Sequence, residues 1–185
     1  MEIFRKAKSV RLMSYRDKYL SAEEDEESII QQDEEQRRRE SVWTVELVEG
    51  RDAVRLRSCF GTYLTASNIP LLPGVTAKKA VQTSLPLASD PAIEWEPVRD
   101  GMQVKLRSCC GNFLRPNGGL PPWRNMVTHD ISHLPNSGNK LLWDVHIVDK
   151  RPRHATPNFA NCRSGSFSDS IDALKTTSTQ DQYYI

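Results

Sequence analysis

Alternation of apolar and polar positions comes in short bursts along this chain, and the bursts recur. Val10-Arg11-Leu12, Val54-Arg55-Leu56 and Val104-Lys105-Leu106 each place two aliphatic residues around one cation. A strand turns successive side chains to opposite faces, so each triplet buries its aliphatic pair and presents its cation to water. Each triplet also opens a longer match. Val10–Ala22, Val54–Ala66 and Val104–Pro116 align without gaps, sharing Val, a base, Leu, then Ser, a Gly or Asp, an aromatic and Leu at fixed places. Gly61 and Gly111 stand where a tight hairpin needs positive φ, and Asp17, among the few residues that tolerate it, takes that place in the first copy. The returning strands begin at Tyr19-Leu20, Tyr63-Leu64 and Phe113-Leu114.

A second alternating segment follows each hairpin: Trp43–Val48, Trp95–Val98 and Trp143–Val148. Trp43, Val45 and Leu47 share one face, as do Trp143, Val145 and Ile147. Pro97 removes a backbone donor from the middle copy, whose strand is therefore expected to be short, bulged or at an edge. Weaker strand candidates lie between, at Ile29-Ile30, Val81–Thr83 and Met126–Thr128. The acidic run Glu23–Glu27 and the basic run Arg37–Arg39 read as parts of a solvated loop, because only Ile29 and Ile30 are apolar there.

Three units, at about residues 8–48, 53–98 and 103–148, each with four short strands, point to a closed all-β architecture, a β-trefoil. The last strand closes the barrel beside Val10–Leu12. Val10, Leu12, Val54, Leu56, Val104 and Leu106 should be buried about a pseudo-threefold axis, with Trp43, Trp95 and Trp143 as an equivalent layer. The domain spans residues 1–149. Residues 150–185, rich in Ser, Thr, Asn and Asp, are expected to form a disordered tail.

Composition narrows the functional classes. A hydrophobic fraction of 38% and a charged fraction of 26% suit a soluble globular protein, and no apolar run approaches the roughly 20 residues of a membrane span. No apolar stretch follows the basic opening residues, so a cytoplasmic location is expected. Cys59, Cys109, Cys110 and Cys162 have neither metal nor disulfide-framework spacing and read as reduced thiols. A net charge of +1 provides no field for nucleic acid.

Motifs for nucleophilic, phosphate-loop or zinc-protease chemistry are absent from the sequence, so an enzyme is not expected. His129 and His133 have the spacing of a helical metal pair, yet Pro121, Pro122 and Pro135 bracket them and a third ligand is missing; no metal or cofactor is expected. His146, between Val145 and Ile147, should point outward. Trp123 differs from the other tryptophans because it has no repeat counterpart and lies in Leu120–Asn125, which breaks the threefold pattern. Trp123, Arg124, Asn125, His129 and Asp130 therefore form the candidate binding surface. Arg11, Arg55, Arg57, Lys105 and Arg107 recur on the outward faces of the hairpins, as solubilising residues or as contacts for acidic groups and phosphates.

The flanking motifs Met1–Lys8, Leu64–Ser67, Glu94–Pro97 and above all Gly118–Asp130 resemble a plant family of β-trefoil proteins of unassigned function, classed structurally with the actin-cross-linking fascins. That resemblance implies a binding domain without naming its ligand; a protein partner is expected, with actin as the candidate. The pattern of ricin-type sugar-binding trefoils, a Gln two residues before the Trp, is replaced here by Ser41, Ile93 and Leu141. The expectation is a non-enzymatic binding or scaffold module. A small-ligand or carbohydrate-binding trefoil is the alternative. A polar groove around Trp123 would favour the ligand, and a broad convex surface a protein partner.

Overall fold

The structure is a computed structural model that describes residues 1–33, 38–84, 90–121, 123–131 and 138–152, all within the unit Met1–Pro152. Of the tail expected at 150–185, residues 153–185, Cys162 among them, lie outside the described residues. A short helix, α1 (Glu2–Lys6), buries Phe4 and leads into the first strand. The first copy supplies β1 (Ala7–Ser14), β2 (Tyr19–Ala22), β3 (Ile29–Gln32) and β4 (Trp43–Leu47). The second supplies β5 (Val54–Arg57), β6 (Tyr63–Pro70), β7 (Lys78–Thr83) and β8 (Trp95–Asp100). The third supplies β9 (Gln103–Ser108), β10 (Phe113–Pro116), β11 (Val127–Asp130) and β12 (Trp143–Lys150).

The first and fourth strands of the copies close a six-stranded barrel. Its circuit runs β1–β4–β5–β8–β9–β12 and back to β1, every pairing antiparallel. Closure falls where the first and last strands meet, with Val10 opposite Ile147 and Leu12 opposite Val145. The second and third strands form three hairpins, β2–β3, β6–β7 and β10–β11, that cover one end. Contacts between those hairpins repeat around the axis: Ser28 opposite Val81, Lys79 opposite Thr128, and Met126 opposite Ile30. This six-stranded barrel with its triangular cap is a β-trefoil.

The aliphatic pairs do what their alternation requires. Val10, Leu12, Val54, Leu56 and Leu106 are fully buried and Val104 nearly so. Asp17, Gly61 and Gly111 all adopt positive φ, at 57°, 88° and 80°. Trp43, Trp95 and Trp143 are wholly enclosed, and each indole N–H donates to the carbonyl of the Leu that follows its own hairpin, Leu20, Leu64 or Leu114, at 2.9–3.2 Å. Burying such a side chain with its donor satisfied makes truncation costly, about 3–5 kcal/mol for Trp to Ala.

Pro97 departs from expectation in part. Its strand is six residues long and in unbroken register with β9, Pro97 lying opposite Leu106. The other flank of β8 meets β5 only at Trp95, so one side of the strand needs no donor from Pro97. The stretch after Ala22 holds a capped turn, and the strand expected at Ile29-Ile30 forms. Asp25 caps a turn by accepting from the N–H groups of Glu27 and Ser28 at 2.9 and 2.8 Å, and β3 follows directly.

Inside the cap lies a polar ring that binds the copies to one another. Gln31, Gln82 and His129 occupy the same place in their copies, opposite Leu20, Leu64 and Leu114 respectively. Each is buried, and each donates to a carbonyl of a different copy: Gln31 to Asn117 at 2.9 Å, Gln82 to Glu23 at 2.9 Å and His129 to Ser67 at 2.8 Å. The direction is cyclic, so every copy both gives and receives one such bond. Burial in low dielectric strengthens each bond and raises the cost of losing it.

Candidate functional site

The loop from Asn117 to Met126 is where the third copy leaves the pattern. Trp123–Asn125 forms a single 3₁₀ turn. Met126 N–H closes this turn on Trp123 O at 3.1 Å, and Asn117 N–H bonds Met126 O at 3.0 Å. Because Met126 bridges to Ile30, the turn is held against the third strand of the first copy.

A polar cleft of about 240 Å³ lies along that junction, lined by Lys18, Glu23, Gln31, Gln32 and Asp33 from the first copy and Asn125 from the third. Lys18 Nζ donates to Asn125 Oδ1 at 3.3 Å and sits 3.7 Å from Asp33 Oδ2. Gln32 Nε2 donates to Glu23 Oε1 at 2.8 Å. Gln31 is committed to the ring, accepting from Ser14 Oγ at 3.0 Å at its other end. Trp123 stands on the turn that carries Asn125 and is 39% exposed, unlike the three core tryptophans. Arg124 is exposed and pairs with no carboxylate among the described residues.

Of the five residues expected at the surface, Trp123, Arg124 and Asn125 are there; His129 and Asp130 are not. β11 is paired on both flanks at His129, by Leu114 and by Lys78, which leaves its side chain inside the cap at 1% exposure. Its Nδ1 accepts from Asn112 Nδ2 at 3.2 Å while Nε2–H donates to Ser67 O, so the ring is the neutral tautomer. Its edge meets Trp95, with centroids 6.4 Å apart. Burial pushes its pKa below the ordinary value and Lys78 acts the same way, against the bond to Ser67 and the charge of Asp130. Asp130 accepts from Thr76 Oγ1 at 2.9 Å and from Ile131 N–H at 2.8 Å, with Arg115 at 3.5 Å. Both residues hold the cap together. The signal that would have shown this is their place in β11, equivalent to Gln31-Gln32 and to Gln82-Thr83.

The recurring cations are also more committed than their outward positions imply. Arg11 is buried, its guanidinium 3.6 Å from the centroid of the Tyr19 ring and its Nε donating to Ser41 Oγ at 2.9 Å. Arg55 pairs with Glu94 at 2.8 Å, Arg57 with Glu46 at 2.9 Å, Lys105 with Asp100 at 2.9 Å and Arg107 with Glu96 at 2.6 Å. Glu94 accepts from Arg51 as well, at 3.1 Å, and lines with it an open cleft of about 520 Å³ bordered by Glu96, Arg107 and Cys109. A third depression, about 330 Å³, is more apolar, formed by Met1, Ile3, Met102, Val104 and Ile147. His146 is exposed, as expected, with Nδ1 3.1 Å from the Tyr19 hydroxyl. His133 lies outside the described residues, among which no group of three or more potential metal ligands occurs.

The architecture defines a β-trefoil whose polar cleft is built where its threefold repetition fails. The family described as beta-trefoil domain of unknown function, DUF569, matches residues 1–143, and the chain belongs to that family. No curated protein matches it. Solved structures agree on the fold at low identity. The cytolethal distending toxin of Haemophilus ducreyi aligns at 15% identity and TM-score 0.60, over 76% of this chain and 83% of that one. Polyporus squamosus lectin, bound to a human-type influenza-binding epitope, aligns at 18% identity and TM-score 0.61, over 76% of this chain and 49% of its own. The designed threefold-symmetric protein ThreeFoil aligns at 18% identity and TM-score 0.57, over 75% and 97%.

Proposed function

We propose that this chain is a non-enzymatic binding module whose cleft between β3 and the Trp123 turn takes a small polyhydroxylated ligand, carbohydrate in class. The observation that carries this reading is the meeting of Glu23, Gln32, Asp33, Lys18 and Asn125, from two copies, in one cleft, with the exposed Trp123 on the same turn as Asn125. Sugar hydroxyls both give and accept hydrogen bonds, and their C–H faces stack on aromatic rings. A site for them needs mixed donors and acceptors at the edge of an indole. The lectin that shares this fold is bound to a glycan epitope, which supports the ligand class.

A filament-binding reading, with actin as partner, draws on the resemblance to fascin-type trefoils and needs accessible cations. Carboxylates engage Arg55, Arg57, Lys105 and Arg107, which favours the ligand reading over it. Free thiols at Cys59, Cys109 and Cys110 support a cytoplasmic setting for either.

The test is a glycan array followed by titration calorimetry with the full chain. Trp123→Ala and Asn125→Ala should each weaken the best glycan by roughly tenfold or more, about 1.4 kcal/mol, with an unchanged melting temperature. Affinity unchanged from that of the unsubstituted chain in both variants would remove the cleft from consideration. Co-sedimentation with filamentous actin in the absence of any glycan signal would promote the filament reading.

A further inference from the structure

The tip of the β9–β10 hairpin carries two adjacent thiols, where its counterparts carry Tyr15-Arg16 and Cys59-Phe60. The neck of this turn is closed by Ser108 N–H to Asn112 O at 2.8 Å and by Gly111 N–H to Ser108 O at 2.9 Å. Cys109 and Cys110 are left at the apex, both exposed, with their sulfurs 3.7 Å apart. We propose that Cys109 and Cys110 form a reversible redox site, a vicinal dithiol that a low-molecular-weight disulfide such as oxidised glutathione converts to an intramolecular disulfide.

The chemistry runs by two exchanges. The Cys110 thiolate attacks one sulfur of glutathione disulfide; a Cys110–glutathione bond forms, the glutathione S–S bond breaks, and one glutathione thiolate leaves and takes up a proton. Cys109 then loses its proton and attacks the Cys110 sulfur, which expels the second glutathione. Two cysteine thiols give up two electrons and two protons, and one glutathione disulfide becomes two glutathiones. The second exchange is intramolecular between sulfurs already in contact, so it outruns attack by another free thiol.

Geometry also makes the product reversible. Adjacent Cα atoms stand about 3.8 Å apart across a trans peptide, below the roughly 4.4–6.8 Å that unstrained disulfides span. A strained, exposed disulfide is readily reduced, which suits a switch and not a staple. Partial desolvation holds the Cys109 thiol above its ordinary pKa, helped by the neighbouring Cys110 and by Asp90, so closure quickens as pH rises. Cys109 also borders the charged cleft that Arg107 and Glu96 line, and ring formation would reshape that wall.

The experiment uses the reduced full chain with excess glutathione disulfide, alkylation of remaining thiols, and mass spectrometry of the tryptic peptide Ser108–Arg124. The expected result is the loss of two hydrogens within that peptide, Cys59 and Cys162 each carrying the alkyl group or a single glutathione, and full reversal by dithiothreitol. Cys109→Ser and Cys110→Ser should each stop at a single glutathione adduct on the remaining thiol. The proposal fails if the wild-type peptide stops at that adduct, if it does not react, or if the bridge maps to Cys59, Cys162 or a second chain.

Discussion

His129 offers the sharpest test of how the cap is held. In the first copy Ser14 Oγ donates to Gln31 Oε1, and in the second Thr62 Oγ1 donates to Gln82 Oε1 at 2.6 Å with Ser58 behind it. In the third, His129 Nδ1 takes the Asn112 amide instead, and the buried Ser108 Oγ has no partner among the described residues. His129→Gln would restore what the other copies use: one oxygen for Ser108 and Asn112, one N–H for the Ser67 carbonyl. It should lie within about 1 kcal/mol of wild type, the lost edge contact with Trp95 offsetting the gained bond. His129→Leu leaves the half-buried Ser67 carbonyl and Asn112 amide without their partner, at up to about 1–3 kcal/mol each and more for any misfit in shape. A loss of about 2–5 kcal/mol should follow, or roughly 5–15 °C in a domain of this size.

Acid separates the two variants a second way. The folded protein holds His129 neutral, its pKa depressed by burial, whereas the unfolded chain titrates near 6.5. Between those values the unfolded state binds the extra proton. The contribution of His129 is therefore fully present above about pH 6.5 and is lost as pH falls from there toward the folded value. His129→Gln should flatten that part of the stability curve. Urea titrations followed by tryptophan fluorescence, at about pH 7.5 and about pH 5, measure both effects. If His129→Gln proves as damaging as His129→Leu, or its acid sensitivity matches that of wild type, the ring is not the latch described here.

Other substitutions follow from the same geometry. Glu94→Ala removes a nearly buried carboxylate from Arg51 and Arg55 and should cost about 1–3 kcal/mol, whereas the more exposed Glu96→Ala should cost under about 1 kcal/mol; thermal melts distinguish them. Gly111→Ala meets open space but positive φ, so about 1 kcal/mol should be lost, while Asp17→Gly should be neutral or slightly stabilising by calorimetry. Trp143→Phe leaves the Leu114 carbonyl without its indole donor, and should lower the urea midpoint without changing the slope.

The parts of the fold legible in the sequence are those whose cause is local. A Val-x-Leu pair and a positive-φ turn identify each barrel hairpin within about a dozen residues, because strand alternation and turn sterics act at that range. The third strands are short, and their key residues run against the usual apolar signal. Gln31, Gln82 and His129 are polar groups in a core, and each is satisfied by a carbonyl in another copy. Nothing near them in sequence indicates that bond. The cleft was partly legible for the same reason: Trp123 and Asn125 stand out by breaking the repeat, but Lys18 and Asp33 join them only because Met126 bridges Ile30.

Symmetry gives these departures their meaning. With the barrel, the indole–carbonyl bonds and the polar ring all repeated around one axis, each copy is braced by its neighbours. Freedom to vary then lies in the turn tips and in the loops between second and third strands, which touch solvent on one side. The third copy departs from the pattern at three places, two of them in that free region and one enclosed: Trp123 in its loop, Cys109-Cys110 at its hairpin tip and His129 in the ring. Trp123 and the thiols are exposed, and neither supplies an indole–carbonyl bond or a ring bond, so substitution there should change ligand or redox behaviour and leave the fold intact. His129 is enclosed and bonded at both nitrogens, so its substitution should change stability first. Burial and bonding, more than mere deviation from the repeat, therefore decide which asymmetries serve function and which serve the fold.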